Sequence, residues 1–389
     1  MAQIDRSSPV PLYHQIERSL LHLIRQRNLA AGGLFPSEND LAEEFGVTRL
    51  TIRRAIERLT QQGVLRRERG RGTFVADPTR AIDQTKAGTF MLLMPSMNGI
   101  IHLKTLTGVE QEARAHGYQL MVAHSDEDAQ LEARQIEAAI SGGAAGLLLW
   151  PLGGQTDRAA IKRVQSANVP VVLLDRYLHD CDTDYVVVDD FNGAYQATRH
   201  LIERGHRRIA FVLYEDVDVS AVRLRRDGYR KALADHGLAF DEALVAHHPI
   251  LPDPTHLDLM MTIAQQLRTL SDPPTAAFSV NDHLAQALLI ALQRQGVAVP
   301  QQFSIVGFDG LEYMPTYQRL TTIRRATTEM GRAAVQLLLG RLNGIVVGGS
   351  QHVVLPTELI VGETTTRVAP PERPGEAATP AIGLAPSPA

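Results

Sequence analysis

Apolar positions in the first stretch of the chain recur every three or four residues. Leu12, Ile16, Leu20, Leu23 and Ile24 predict one amphipathic helix over about 12–27. Gly32-Gly33 then interrupt the pattern. The next segment, FPSEND, offers Ser37 as an N-cap with Asp40 three residues on, a variant of the capping box. A short helix follows, burying Leu41 and Phe45, and Gly46 ends it. Thr48 is placed to cap a third helix with Ile52, Ala55, Ile56 and Leu59 on its buried face, and Gly63 ends that one. Val64-Leu65 and Thr73-Phe74-Val75 predict two short strands around the loop RRERGRG. The order is helix, helix–turn–helix, then a two-stranded wing, a small α+β unit.

From Thr89 the period changes. Short apolar runs (FMLLM, QLMVA, AGLLLW, VPVVLL, YVVV, RRIAFVL, TAAFSV, FSIVGF) alternate with helical patterns. Such alternation predicts parallel sheets covered by helices on both faces. About eight such units exceed one comfortable sheet, so two doubly wound α/β subdomains are expected. The resulting map is a head over 1–78, a polar linker over 79–88, an α/β body over 89–367 and a disordered tail over 368–389. The last 21 residues hold six prolines and few large apolar groups.

Charge sharpens the division. Residues 1–80 carry 13 arginines, no lysine and 9 acids, whereas the rest carries 26 basic and 34 acidic residues. A basic head on an acidic body suits nucleic-acid binding by the head. In a helix–turn–helix the third helix enters the major groove N-terminus first. Here that turn carries Arg49, Thr51 and Arg53, and Arg49 and Arg53 share a face opposite the apolar one. Arginine can fork onto guanine edges or bind phosphate as a charge. Arg54 and Arg58 lie further round, as phosphate contacts or solvated surface. Arg66 and Arg67 read as phosphate-facing or solvated, and Arg69-Gly70-Arg71 as the wing tip.

The segments PLYHQI, FPSENDLAEEFGV, TRLTIRRAIERL and GRGTFV together resemble the winged helix–turn–helix domain of GntR-family transcription regulators. The resemblance implies DNA contacts from Arg49, Thr51 and Arg53, and from Arg69, Gly70 and Arg71 in the wing. Ser37, Thr48 and Arg54 join them as neighbouring candidates. Asn39 stands where many members have arginine, so any contact there is made by an amide.

Ligands in open α/β sheets bind beyond the carboxyl ends of the strands. Polar groups follow the apolar runs here: Asn98, His124-Ser125-Asp126, Trp150, Asp175-Arg176, Asp189-Asp190, Asn281-Asp282 and Asp309. Carboxylates, amides and arginines match the donor and acceptor hydroxyls of a polyhydroxylated ligand. Asp182 and Asp184 read as ordinary loop acids, and His247-His248 as surface residues of a loop. The stretches VPVVLLDRY, VVVDDFNGA, VRLRRDGYRKAL, PPTAAFSVND and VPQQFSIVGFDG resemble the effector domain of LacI/GalR regulators, itself similar to periplasmic sugar-binding proteins. That resemblance implies ligand contacts at Asp175, Arg176, Arg223, Asn281 and Asp309. Asn98, His102 and Asp126 complete the ligand-site candidates. The loop after the first strand, MNGIIHLK, departs from the family's aromatic segment and argues against a purine ligand. A GntR-type head on a LacI/GalR-type body resembles arabinose-responsive repressors.

Enzyme signatures are absent: no G-x-x-x-x-G-K-[ST], G-x-S-x-G or H-E-x-x-H occurs. Asp175 and Asp309 could imitate a glycosidase pair, but such carboxylates serve equally as hydroxyl acceptors. With one cysteine, Cys181, and no spaced histidine set, no disulfide, metal or cofactor is expected. The chain reads as a cytoplasmic homodimeric regulator with three expectations. It binds double-stranded operator DNA at palindromic half-sites. It takes a small sugar, with pentose favoured. It has no membrane partner. Repression is favoured over activation or a corepressor role for the ligand.

Overall fold

In a computed structural model the described residues are 16, 19–20, 23–24, 27, 29, 32–61, 64–68, 71–75, 88–214, 218–249, 257–311 and 318–368. They form two compact units, Met1–Ala87 and Gly88–Ala389. Most of the first expected helix, the wing tip Arg69-Gly70, the linker before Gly88 and the tail beyond Val368 lie outside the described residues.

In the head, Ile16, Leu20 and Leu23 lie in helical conformation and pack with Leu41, Ile52, Ile56 and Leu59 into one core. The helix Glu38–Phe45 begins as its capping pattern predicts. Ser37 Oγ accepts from the Asp40 amide at 3.2 Å and donates to the Asp40 carboxylate at 2.7 Å. Gly46 ends it in the left-handed region. The recognition helix spans Arg49–Gln61, and the Thr51 amide donates to Thr48 Oγ1 at 3.3 Å. Strands β1 (Leu65–Glu68) and β2 (Gly72–Val75) pair antiparallel, with Leu65 opposite Val75.

The second unit has two six-stranded sheets. In lobe 1 the order is β13-β7-β6-β5-β3-β4, all parallel: His352–Leu355, Asp184–Val188, Val171–Leu174, Gly146–Leu149, Thr89–Met94 and Gln119–His124. In lobe 2 the order is β14-β12-β11-β10-β8-β9: Thr357–Ile360, Thr321–Arg325, Ser304–Asp309, Ala276–Ser279, Ile209–Tyr214 and Val245–His248. There β14 alone runs antiparallel to its neighbour. The near-continuous apolar strands are buried on both faces, as in β6 and β11. The chain passes between lobes at Val188–Asp190, Arg325–Thr327 and Leu355–Thr357. Lobe 1 is closed by helices Ile100–Ala115 and Thr327–Leu342, which meet backbone to backbone. A methyl group on Gly108 would lie 2.0 Å from the Thr328 carbonyl oxygen.

Two readings of the sequence are corrected here. Asp184 is not a loop acid. It opens β7, is buried, and accepts from Arg341 Nε and Nη2 at 2.7 Å each. His247-His248 end β9 rather than sitting in a loop, and His248 is fully buried. Asp184 stands one residue ahead of the YVVV run that marks the strand in the sequence, and β9 is a short edge strand, VAHH, whose two histidines mask it.

Candidate functional site

The head gathers its arginines on one acid. Glu38, the first residue of its helix, accepts from Arg49 Nε at 3.0 Å, Arg53 Nη2 at 3.2 Å and Arg67 Nη2 at 2.5 Å. Burial alone would raise the Glu38 carboxyl. The hydrogen bonds from Arg49 and Arg53 and the nearby charges outweigh it and hold the acid below its usual range. The three arginine side chains remain 40–59% exposed, so the cluster leaves an excess of positive charge at the surface. Ser37, Asn39, Thr48 and Arg54 are exposed beside it, Thr51 is partly buried, and Arg71 is exposed in the turn just before β2. Sequence reasoning singled out Arg49 and Arg53 but missed Glu38 and the role of Arg67. The signal available was an acid one residue after the N-cap.

The cleft in the second unit is built at strand ends. Asp175 follows β6 with φ +68° and is 2% exposed. Asp309 ends β11 with φ +132°. Arg325 ends β12, where the chain crosses to lobe 1. Arg325 Nη2 donates to the Asp175 carboxylate and Nη1 to Asp309 at 3.2 Å, so one buried guanidinium joins the two lobes. Arg176 Nε donates to the other Asp175 oxygen at 3.1 Å. Burial would push Asp175 up, but Arg325 and Arg176 hold it down at about 2. Burial would likewise favour a neutral Arg325, yet Asp175, Asp309 and Asp190 hold its proton more tightly than usual.

Two further acids support this floor. Asp190 accepts from Arg225 Nε at 2.8 Å, and burial outweighs that pairing and pushes it up to about 6. Arg225 also donates to the Val280 carbonyl at 2.6 Å and lies 3.7 Å from the Phe308 ring centre. Asp282 accepts from Thr322 Oγ1 at 2.6 Å and from the Leu311 amide at 2.8 Å, and burial with Asp309 nearby pushes it up to about 7.

One wall is aromatic. The His102 ring lies 4.7 Å from the Trp150 ring, and the Arg176 guanidinium lies 5.9 Å from it. Burial lowers the His102 proton affinity and keeps the imidazole neutral, with Asp175, Arg176, Arg325 and Asp309 as charged neighbours. His102 Nδ1, Trp150 Nε1 and Arg325 Nε are buried and have no hydrogen-bond partner among the described residues. Buried polar atoms without partners are costly and rare away from functional sites.

The structure therefore brings His102, Asp175, Arg176 and Asp309 together. Asn281 stands nearby; it caps helix Asp282–Arg294 through the Leu284 amide at 2.9 Å and donates to Tyr214 Oη at 3.2 Å. Asn98 is exposed in its loop. Asp126 is 70% exposed and pairs with His124 at 2.8 Å. Arg223 is half-buried against His179, while Arg225, two residues later, is the buried arginine of that helix. Arg325 and Arg225 were not among the candidates, and Trp150 and Asp190, read at strand ends, were not carried into the ligand set. The doublet at the end of RLTTIRR and the fourth position of VRLRRD were the signals for the two arginines. Among the described residues no cluster of His, Cys, Asp or Glu is arranged to hold a metal, and no helix is long and apolar enough to cross a membrane.

A winged helix–turn–helix head joined in one chain to a two-lobed domain with a charged, partly unsatisfied cleft defines a DNA-binding, ligand-responsive regulator. Comparison with known proteins agrees. Residues 12–75 match the GntR family of bacterial regulatory proteins, and residues 198–365 match the periplasmic binding protein-like domain. The arabinose metabolism transcriptional repressor of Geobacillus stearothermophilus is 30% identical over 373 residues, spanning 93% of this chain and all of that protein. CytR, a transcriptional repressor of Escherichia coli, is 27% identical over 333 residues, 84% of this chain and 95% of its own. The structure of the regulator CcpA of Lactococcus lactis superimposes with a TM-score of 0.64 at 25% identity, covering 72% of this chain and all of that one. A LacI-family regulator of Enterococcus faecium, solved with bound ribose, gives 0.62 at 24% identity over 72% of this chain and all of its own. The chain belongs to the family of transcriptional repressors that join a GntR-type winged head to a periplasmic-binding-protein-like effector domain.

Proposed function

We propose that this repressor releases operator DNA when a small neutral sugar, a pentose such as arabinose, fills the cleft around Arg325. The observation that carries the reading is the set of buried polar atoms without partners, His102 Nδ1, Trp150 Nε1 and Arg325 Nε, beside the carboxylates Asp175 and Asp309. Every arginine of the cleft floor is already paired with a carboxylate, which suits hydroxyls better than a phosphate. The pentose preference draws on the relatives that are arabinose metabolism repressors. Asp175, Arg176, His102, Asn281 and Asp309 contact the sugar in this reading, with Asn98, Asp126 and Arg223 further out. In the head, Arg49, Thr51 and Arg53 read base edges. Ser37, Asn39, Thr48 and Arg54 hold the backbone, and Arg69, Gly70 and Arg71 reach the groove beside the wing. The protein works as a cytoplasmic homodimer on paired half-sites, because one small head makes few contacts. It catalyses no reaction. Sugar and operator oppose each other reciprocally, by about 1–3 kcal/mol of coupling. A gel shift with the chain's own upstream region, with and without a panel of pentoses and hexoses, tests this. Release by one sugar is expected, and operator binding indifferent to every sugar overturns the reading.

A further inference from the structure

The loop Trp150–Thr156 begins at the effector cleft and passes against the opposite lobe at Gly153 and Gly154. Trp150 forms the aromatic wall. Four residues on, the Gly154 amide donates to the Asp218 carbonyl of lobe 2 at 2.8 Å. Gly153, with φ +103°, lies so close that a β-carbon there would stand 2.6 Å from that same carbonyl oxygen and 3.0 Å from Val219 Cγ2. Only glycine combines this conformation with that approach. Asp218 and Val219 immediately precede the helix Ser220–Asp235, which carries Arg223 and Arg225. The neighbouring Tyr177 amide donates across the same divide to Ser220 Oγ at 2.9 Å.

The loop owes its shape to one buried acid. Glu132, on the helix Ala129–Ser141, is fully buried, and its Oε1 accepts from the Leu152 amide at 2.8 Å. Thr156 Oγ1 accepts from the Gly153 amide at 3.3 Å, and Arg158 donates to the carbonyls of Gly154 and Thr156 at 2.6 and 2.7 Å. A carboxyl group costs a great deal to bury, yet the site described above makes no use of this one. We propose that Glu132 is a positioning residue for the effector cleft: it holds Trp150–Thr156 as the latch that pins lobe 1 to Asp218 of lobe 2 around the bound sugar. This rests on the sugar-cleft reading for its consequence, but the latch itself is a contact between lobes. Burial pushes the Glu132 carboxyl up, with the Leu152 amide and Thr156 pulling it partly back, and glutamine, its isostere, keeps an oxygen to accept from the Leu152 amide.

The test uses the full chain in a Cys181→Ser background with spin labels at Ser141→Cys on lobe 1 and Asp227→Cys on lobe 2, both exposed positions. L-arabinose is the probe. Glu132→Leu is expected to weaken arabinose binding about tenfold or more, the scale of a lost buried hydrogen bond. Glu132→Gln is expected to stay within about twofold of the parent, because the acceptor survives. Gly153→Val is expected to lengthen the label-to-label distance even without sugar, and it stands in if Glu132→Leu fails to fold. Parental arabinose affinity in a folded Glu132→Leu, loss of binding in Glu132→Gln, or an unchanged distance in Gly153→Val overturns the proposal. If the parent itself binds no arabinose, the pentose reading fails, and the distances in Gly153→Val and Glu132→Leu alone decide the latch.

Discussion

The head and the effector domain use the same two side chains in opposite proportions. In the head one carboxylate, Glu38, holds three arginines at the surface. In the cleft one arginine, Arg325, holds two carboxylates with all three side chains at most 8% exposed. The difference lies in what each leaves over. The head keeps two unmatched positive charges in high dielectric, where they cost little and attract phosphate. The cleft keeps carboxylate lone pairs and single donors buried, where leaving them without partners is costly. Burial rather than composition turns arginine and carboxylate into an exposed cationic surface in one place and a charge-balanced, partly unsatisfied cleft floor in the other.

The largest effect is expected from breaking the buried side of this comparison. Arg325→Met removes the cation that Asp175 and Asp309 share and leaves Asp175 with Arg176 alone. It should destabilise the effector domain by about 3–5 kcal/mol, the usual cost of orphaning a buried charge, as read by chemical denaturation. Asp175, now held at about 2, should then titrate much higher.

Breaking the exposed side should cost less stability and more recognition. Arg53→Ala is expected to weaken operator binding roughly 10- to 100-fold, about 1–3 kcal/mol, with arabinose affinity and melting temperature near the parent. Fluorescence anisotropy on a labelled operator checks it, and an unchanged affinity removes Arg53 from the recognition set. Glu38→Gln sharpens the point in the other direction. It frees Arg49, Arg53 and Arg67, so affinity for random-sequence DNA should rise a few-fold and fall more steeply with salt, while the operator preference narrows.

The smallest effect concerns a buried base away from both sites. His200 is buried against Thr365 and Arg204, and burial with that arginine lowers it to about 4. A base whose folded-state value lies below its ordinary 6.5 takes up a proton more readily when unfolded. Its contribution to stability is therefore full above about 6.5 and is lost as pH falls toward 4. His200→Gln should flatten the melting-temperature profile across that window, and an identical slope in both proteins refutes the assignment.

Much of this arrangement was legible along the chain. Caps, helix periods and short strands depend on neighbours within about four residues, so the head's helix–turn–helix could be read from Ser37, Gly46, Thr48 and the apolar positions between them. The alternation of apolar runs and helices likewise announced two parallel sheets, and the strand-end rule pointed to Asp175 and Asp309. What the tertiary structure alone decided are the partnerships. Arg325 meets Asp175 across 150 positions of sequence, Glu38 meets Arg67 across 29, and Gly154 meets Asp218 between lobes. Nothing local marks these pairs. They follow from where the chain crosses between lobes and folds its wing back, and only then does burial choose among chemically identical arginines and acids.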